Sequence, residues 1–489
     1  MTGDPGQASV LRGATALYLV QLLSIPLGVA TNLVAGRLLV PGDYGAFFTA
    51  DFIVSFVSLV SNGGLVTTLI RDPGEVREKR YADVFLYQLF SSLLLSAVLL
   101  ASIHPLVDLL KFDAPPADLR GMIGWLCLVP IFQSFVTIPL VRMERNLVYG
   151  RIARFALAWS VLERLVLVGL MFAGAKGFSY VYARVFGALL QVFMLWYFAR
   201  WNPAAMLLDS IRTGWQGRAD LRFGFKVQLK TVSNILQTSI IPGAGNRLFD
   251  VQTVGLLAWA NNTAYTLGQS LPQAVGRVIV GSNSRYQGDP AGFRRLVEQA
   301  LGFCTIFCGS VLALTAALLP ELLLYLFNPR WSGAAGLFAL ACLPMLQAIL
   351  LIVYDALLLA GGRPLSTAFW NWITGGLAFG FSVGLGNWIG PPGIFLGLFL
   401  ANLVPLAAYH RLTRAQHPLA LGRSFFLPAT WSTAGGFAVF FFKGHFVQGW
   451  PSLLAYGAVG FLLVAGSYFA WHRDQLAALL SLFGGRRKA

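Results

Sequence analysis

Residues 36–72 read GRLLVPGDYGAFFTADFIVSFVSLVSNGGLVTTLIRD, and within them the run 44–70 holds a single charged residue, Asp51. A helix needs roughly 20 residues to cross a hydrocarbon core, whereas a buried soluble helix of this purity is normally shorter. The run is therefore a membrane span, bounded by Arg37 on one side and Arg71 on the other. Outward from it the same pattern repeats along the whole chain. Apolar stretches of spanning length lie at 15–38, 44–70, 82–103, 120–141, 153–173, 178–199 and 224–246. They continue at 252–280, 296–318, 333–360, 365–388, 393–410, 424–442 and 453–471. The spacing predicts an all-α polytopic membrane protein of about 14 transmembrane helices. Composition agrees: 11% of the 489 residues are charged, less than half the share needed to clothe a water-soluble domain.

Charge orients the spans. With the N-terminus in the cytoplasm, the inner connections hold Arg71, Arg77, Lys79 and Arg80, then Arg142, Arg145, Arg151 and Arg154, then Arg200, Arg212, Arg218 and Arg222. Arg285, Arg294, Arg295, Arg363, Arg411, Arg414 and Arg423 follow, and the tail adds Arg473, Arg486, Arg487 and Lys488. With Arg12 that places 24 of the 36 basic residues inside, against six in the outer loops. Such loops face anionic headgroups, so the net charge of +16 is a membrane signature and no nucleic acid partner is expected. Both termini are read as cytoplasmic.

Several chemistries are excluded. Cys127, Cys304, Cys308 and Cys342 lie inside apolar stretches, where cysteine packs as a small hydrophobe. The five histidines form no ligand pair, and no phosphate-binding Gly-x-x-x-x-Gly-Lys-Ser/Thr occurs, so neither metal nor nucleotide cofactor is expected. The first residues lack a charged n-region and a small-residue cleavage site, so the first apolar segment is expected to be retained.

The chain also repeats itself. Arg37–Gly45 closes the first span and opens the second; Arg247–Gly255, 210 residues later, closes the seventh and opens the eighth. Arg, Leu and Gly fall in register, Asp51 aligns with Asn261, and Ser24 with Asn234. The two six-helix halves are thus expected to be parallel, pseudo-symmetric repeats, an arrangement common in transporters. The expected organisation is an N-terminal lobe at 1–200, a cytoplasmic linker at 201–222, a C-terminal lobe at 223–412, and two further helices with a basic tail at 413–489.

At this point three segments resemble a known family. The 36–72 stretch, with its Arg-Leu-Leu, Pro-x-Asp-Tyr-Gly and Ile-Arg, is similar to the polysaccharide-transporter (Wzx-type oligosaccharide flippase) branch of the multidrug/oligosaccharidyl-lipid/polysaccharide flippase superfamily. LGQSLPQAVGRVIVGSNSRYQGD (267–289) and RWSGAAGLFALACLPMLQAILLIVYDALLLAGGRP (330–364) resemble its second-half signatures. The resemblance implies two lobes with a central cavity that opens alternately to each side of the bacterial inner membrane. It implies undecaprenyl-pyrophosphate-linked oligosaccharide as substrate, for exopolysaccharide or O-antigen assembly, with polysaccharide polymerase and export proteins as neighbours.

Polar residues inside spans are the candidates for transport, because their burial in lipid is costly. Lys226, Lys230, Asn234 and Gln237 recur at helical spacing in the seventh span, and Asn262, Tyr265, Gln269, Gln273 and Arg277 in the eighth. Lys226, Lys230 and Arg277 share the cytoplasmic depth, and are expected to attract pyrophosphate in the cavity. The rival reading lets the lysines reach for headgroups; Asn234 and Gln237 farther along the face have no such reason. Gln21, Ser24, Gly28, Thr31 and Asn32 form a thinner stripe in the first span, fit for sugar hydroxyls or for helix packing. Arg37 and Arg247 are read as gating or structural residues at the outer ends. Asp51 and Asp355 are read as partners of cavity cations, and Glu163, Arg164 and Arg184 as pairs within one lobe.

Three other functions compete. A peptidoglycan-precursor flippase is expected to carry Arg in mid-span 1, which here is uncharged. A drug–cation antiporter needs cavity carboxylates, where this chain offers cations. A membrane polymerase or ligase needs catalytic residues in a sizeable outer loop, and the largest, from His104 to Asp118, supplies none. The chain is read as a transporter and not an enzyme.

Overall fold

The apolar run of the second span folds as helix α2 (Pro41–Asn62) in the computed structural model of the chain. Proline at its first turn has no N–H to leave unpaired, and Asp43 accepts from the Val40 N–H at 3.3 Å. The structure describes residues 26–65, 69, 78–109, 119–146, 148–199, 228, 232, 239–282, 289–361, 363–414 and 416–472. Among them there are helices and turns but no strand.

A first helix, α1, occupies 26–38. After α2 come α3 (Glu78–Ala101), the short α4 (Ile103–Leu109), α5 (Leu119–Leu126), α6 (Leu128–Arg145), α7 (Tyr149–Phe172) and α8 (Phe178–Ala199). A π-helical turn at Ile241–Gly245, carrying Pro242, leads through Asn246–Leu248 to a break at Phe249. Then follow α9 (Val251–Ser282), α10 (Pro290–Leu326), α11 (Ala334–Ala360), α12 (Pro364–Ile389), α13 (Pro392–Arg414), α14 (Leu427–Phe446) and α15 (Trp450–Trp471). Proline at the start of α10, α12 and α13 fixes where each begins.

Ten helical segments among the described residues are long and apolar enough to cross a membrane. The expected first and seventh spans lie partly or almost wholly outside the described residues. Two others, α9 and α12, have the length but not the apolarity. In α12 the dilution comes from glycine, tryptophan and asparagine; in α9 it comes from a continuous amide and hydroxyl face. The chain is an all-helical multi-pass membrane protein.

Two compact units divide it: Met1–Ile235 with Asp250–Gly255, and Leu236–Phe249 with Leu256–Ala489. The first unit's core gathers Ala46, Ala50 and Val54 of α2 with Leu99 of α3, Ile123 of α5 and Val181 of α8. The second has a core of Val297, Leu301 and Cys304 of α10, Ile349 and Val353 of α11, and Tyr409 of α13. The C-terminal pair α14–α15 docks on α10 within this unit. Small residues allow the approach: Ser310 and Ser432 hydroxyls meet at 3.3 Å, and a Cβ on Gly436 would lie 2.8 Å from that of Ala313. Lys443 of α14 clamps the pair from one end, donating to Glu321 and to the Ala317 carbonyl, each at 3.0 Å. The four cysteines are free and buried, as their apolar surroundings suggested.

Candidate functional site

Helix α9 is 32 residues long, about 48 Å at 1.5 Å per residue, and carries one charged residue, Arg277. One side of it is closed by packing. Val254, Leu257, Ala258, Ala264, Gly268, Pro272, Gly276 and Ile279 are buried or half-buried there. Gly268 admits Leu312 of α10, and Gly276 admits Ile352 of α11, to about the distance a Cβ would occupy. Trp259 seals the first part of the helix against Phe327 and Trp331, with ring centroids at 5.5 and 5.7 Å.

The remaining side bears Asn262, Tyr265, Thr266, Gln269, Ser270 and Gln273, all exposed or half-buried. Gln273 donates from Nε2 to the Tyr265 hydroxyl at 2.7 Å. Thr266 and Ser270 donate to carbonyls one turn back, at 2.8 and 2.9 Å, which leaves their oxygens able to accept. Gln269 reaches the thioether of Met345, at 3.4 Å. From Tyr265 to Gln273 the face therefore presents hydrogen-bonding groups with weak or helix-internal partners. Arg277 continues the same line, but its side chain lies outside the described residues. So do Gln21, Lys226, Lys230, Asn234 and Gln237.

The first unit treats its polar groups differently. Thr31 of α1 is buried and donates to the Leu27 carbonyl at 2.8 Å, and Asn32 beside it is half-buried. Asp51 of α2 stands 3.8 Å from Nε of Arg184 in α8. The Arg164 guanidinium lies against Gly28 of α1, and the Glu163 carboxylate against Gly187 of α8. Asp51 thus has its cation in its own unit. In the second unit Asp355 of α11 interacts electrostatically with the buried Tyr409 of α13, whose hydroxyl contacts Asn371 of α12 at 3.3 Å. The lysines expected to partner Asp355 are outside the described residues.

Arg37 and Arg247, aligned in the sequence register, each lie exposed at the end of a helical stretch. Eight residues on from each, the aligned glycines meet. A Cβ on Gly45 would run into the Val251 carbonyl and lie 2.8 Å from the Gly255 nitrogen. One on Gly255 would run into the Pro41 carbonyl and lie 3.1 Å from the Gly45 nitrogen. Pro41 and Val251 are themselves 210 residues apart, so the contact is reciprocal: residue for residue, each segment touches the other as it is touched. The sequence register brought these glycines into alignment but carried no sign that they touch. Thr266 and Ser270 also went unremarked in the sequence, since hydroxyl residues are ordinary in helix packing. Among the described residues no group of His, Cys, Asp and Glu could hold a metal ion.

The sequence matches the polysaccharide biosynthesis protein family over residues 34–336. The chain belongs to that family. No curated protein matches it. Solved structures share its fold. The lipid II flippase MurJ, in an inward closed conformation, has a TM-score of 0.71 at 13% identity, over 94% of this chain and 99% of that one. An inward-facing multidrug resistance MATE family transporter of the MOP superfamily gives 0.60 at 14%, over 82% and 97%. A MOP superfamily transporter from Pyrococcus furiosus gives 0.51 at 13%, over 84% and 96%. The family member described here accordingly has the helical architecture of MOP superfamily flippases and transporters.

Proposed function

We propose that the chain is a flippase. It carries undecaprenyl-pyrophosphate-linked oligosaccharide repeat units from the inner to the outer leaflet of the bacterial inner membrane, by alternating access, for exopolysaccharide or O-antigen assembly. In this reading the chain has fourteen spans with both termini cytoplasmic, lobes at 1–200 and 223–412 joined by the 201–222 linker, and an accessory pair within 413–489. Polymerase and export proteins take the product. Lys226, Lys230 and Arg277 draw in the pyrophosphate, and the amides of α9, with Gln21 and Asn32, receive the sugars. Arg37 and Arg247 serve the outer ends.

The observation that supports this most is the polar face of α9. A helix of that length in a membrane fold cannot turn amides and hydroxyls to lipid without several kcal/mol of cost, so the face meets water or a polar cargo. Family membership points the cargo toward polysaccharide synthesis. Deleting the gene tests the reading: lipid-linked repeat units should accumulate in the inner leaflet, whereas accumulation outside would mark a polymerase. Lys230→Ala combined with Arg277→Ala should cut polymer output several-fold at unchanged protein level; unchanged export removes both residues from the mechanism.

A second reading, transport of a peptidoglycan lipid precursor, is favoured by the TM-score of 0.71 to the lipid II flippase. Between Pro26 and Gly36, however, α1 bears no charge. Rescue of a strain depleted of its own lipid II flippase would establish this second reading; failure to rescue, with polymer export intact, would exclude it.

A further inference from the structure

Tyr265 is the one aromatic ring on the polar side of α9. It is 43% exposed, in a helix position where exposure has to be accounted for. Val251 is 14 residues before it and Ser282 is 17 after it, so the ring sits about 21 Å and 26 Å from the two ends. Tyrosines of the interfacial belt lie near the helix ends, at headgroup level; this one lies near the middle of its helix. A lipid-facing role is equally ill-suited, because the residues around it on the face are Asn262, Thr266, Gln269 and Gln273.

The ring is also held. Gln273, two turns on, donates to its hydroxyl at 2.7 Å and so holds the phenol along the helix while the residue stays partly open. An exposed aromatic ring flanked by uncharged amides and hydroxyls suits one chemical class in particular. A pyranose ring has an apolar C–H face that stacks on aromatic rings and an equatorial rim of hydroxyls that exchange hydrogen bonds with amides. Charged headgroups would want Lys or Arg at this level, and a polyprenyl chain would gain nothing from the amides.

We propose that Tyr265 is a stacking platform for a pyranose unit of the translocated glycan. Gln273 is its positioning residue, and Asn262, Thr266 and Gln269 take the sugar hydroxyls. The site distinguishes a lipid carrier that bears a glycan from one that does not. This rests on the flippase reading above and names the part of the cargo recognised by α9.

The test uses the full chain in lipid nanodiscs and two probes: bare undecaprenyl pyrophosphate, and the lipid-linked repeat unit extracted from the host strain. Binding is measured for wild type, Tyr265→Ala, Tyr265→Phe, Tyr265→Trp and Gln273→Leu, each first checked for an unchanged melting temperature. The wild type should bind the glycosylated probe more tightly than the bare one. Tyr265→Ala should lose about tenfold on the glycosylated probe and nothing on the bare one, as for a lost aromatic contact of roughly 1.5 kcal/mol. Tyr265→Trp should retain the preference, while Tyr265→Phe and Gln273→Leu, which keep a ring but free it, should lose about threefold, on the order of half that energy. Equal losses on both probes, or no loss in Tyr265→Ala, overturn the proposal. A wild type that binds neither probe overturns the flippase reading itself, which separates the two failures.

Discussion

Helices α2 and α9 each open four residues before one of two glycines that align in sequence, yet they carry their polar residues in different ways. Helix α2 carries Asp51 and satisfies it with Arg184 of the same unit. Its remaining length is apolar enough to span. Helix α9 has Asn261 at the aligned position, then a run of amides, hydroxyls and one tyrosine. It is not apolar enough to span by composition, and from Tyr265 to Gln273 its polar groups find weak or local partners. The difference teaches how two helices with one sequence register can be put to different uses. A carboxylate at depth must be paired, and pairing uses it up. Uncharged amides cost less to leave open, and can trade one hydroxyl for the next without holding it. The first helix is tied to its own unit, and the second is left available.

The comparison can be broken most severely where the two helices are alike. Gly45→Ala and Gly255→Ala each place a methyl against backbone that cannot step aside. Each should cost about 3 kcal/mol, the upper end of the overpacking range. Thermal unfolding of the purified protein should register both as equal losses, and tolerance of either would mean that the helices part easily at this point. Next in size is the ion pair. Asp51→Asn or Arg184→Gln should cost about 1–2 kcal/mol, reduced from the fully buried case because both side chains are about one-third exposed. The double substitution should recover part of the loss in a double-mutant cycle. On α9 the outcome should differ: Asn261→Leu should leave stability within ~0.5 kcal/mol of wild type, as for substitutions away from packed features. A large loss there would show that α9 is locked into its surroundings no less than α2.

The smallest expected effect lies at a loop. His417, between α13 and α14, packs edge-on against Phe293 with centroids 5.3 Å apart, and its Nδ1 is enclosed without a hydrogen-bond partner. Burial holds its pKa below the ordinary histidine value of 6.5. The folded state therefore keeps the ring neutral while the unfolded chain takes up a proton, so stability is full above about pH 6.5 and falls as pH drops below it. His417→Leu should flatten this part of the melting-temperature profile between about pH 7 and pH 5.

Much of this was legible in the residues. Long apolar runs with arginine between them announce spans, because lipid permits few alternatives, and the described helices fall on those runs. The amide face of α9 was equally plain, since Asn262, Gln269 and Gln273 recur at helical spacing. What spacing does not reveal is which helices touch. Nothing in the chain placed Asp51 beside Arg184, 133 residues away, or closed Gly268 and Gly276 onto α10 and α11. Hydroxyls such as Thr266 and Ser270 were invisible for another reason: in a helix they normally bond to their own backbone, and here they do.

The crossing of Gly45 and Gly255 has a consequence for substitution. An interface in which each residue finds its counterpart's partner is the kind two identical subunits make around a two-fold axis. In such a dimer one codon governs both sides of the seam, and a single change to alanine obstructs it twice. Here two separate codons meet in one chain, so a side chain at either glycine is enough to wedge the joint, and an intact partner cannot relieve it.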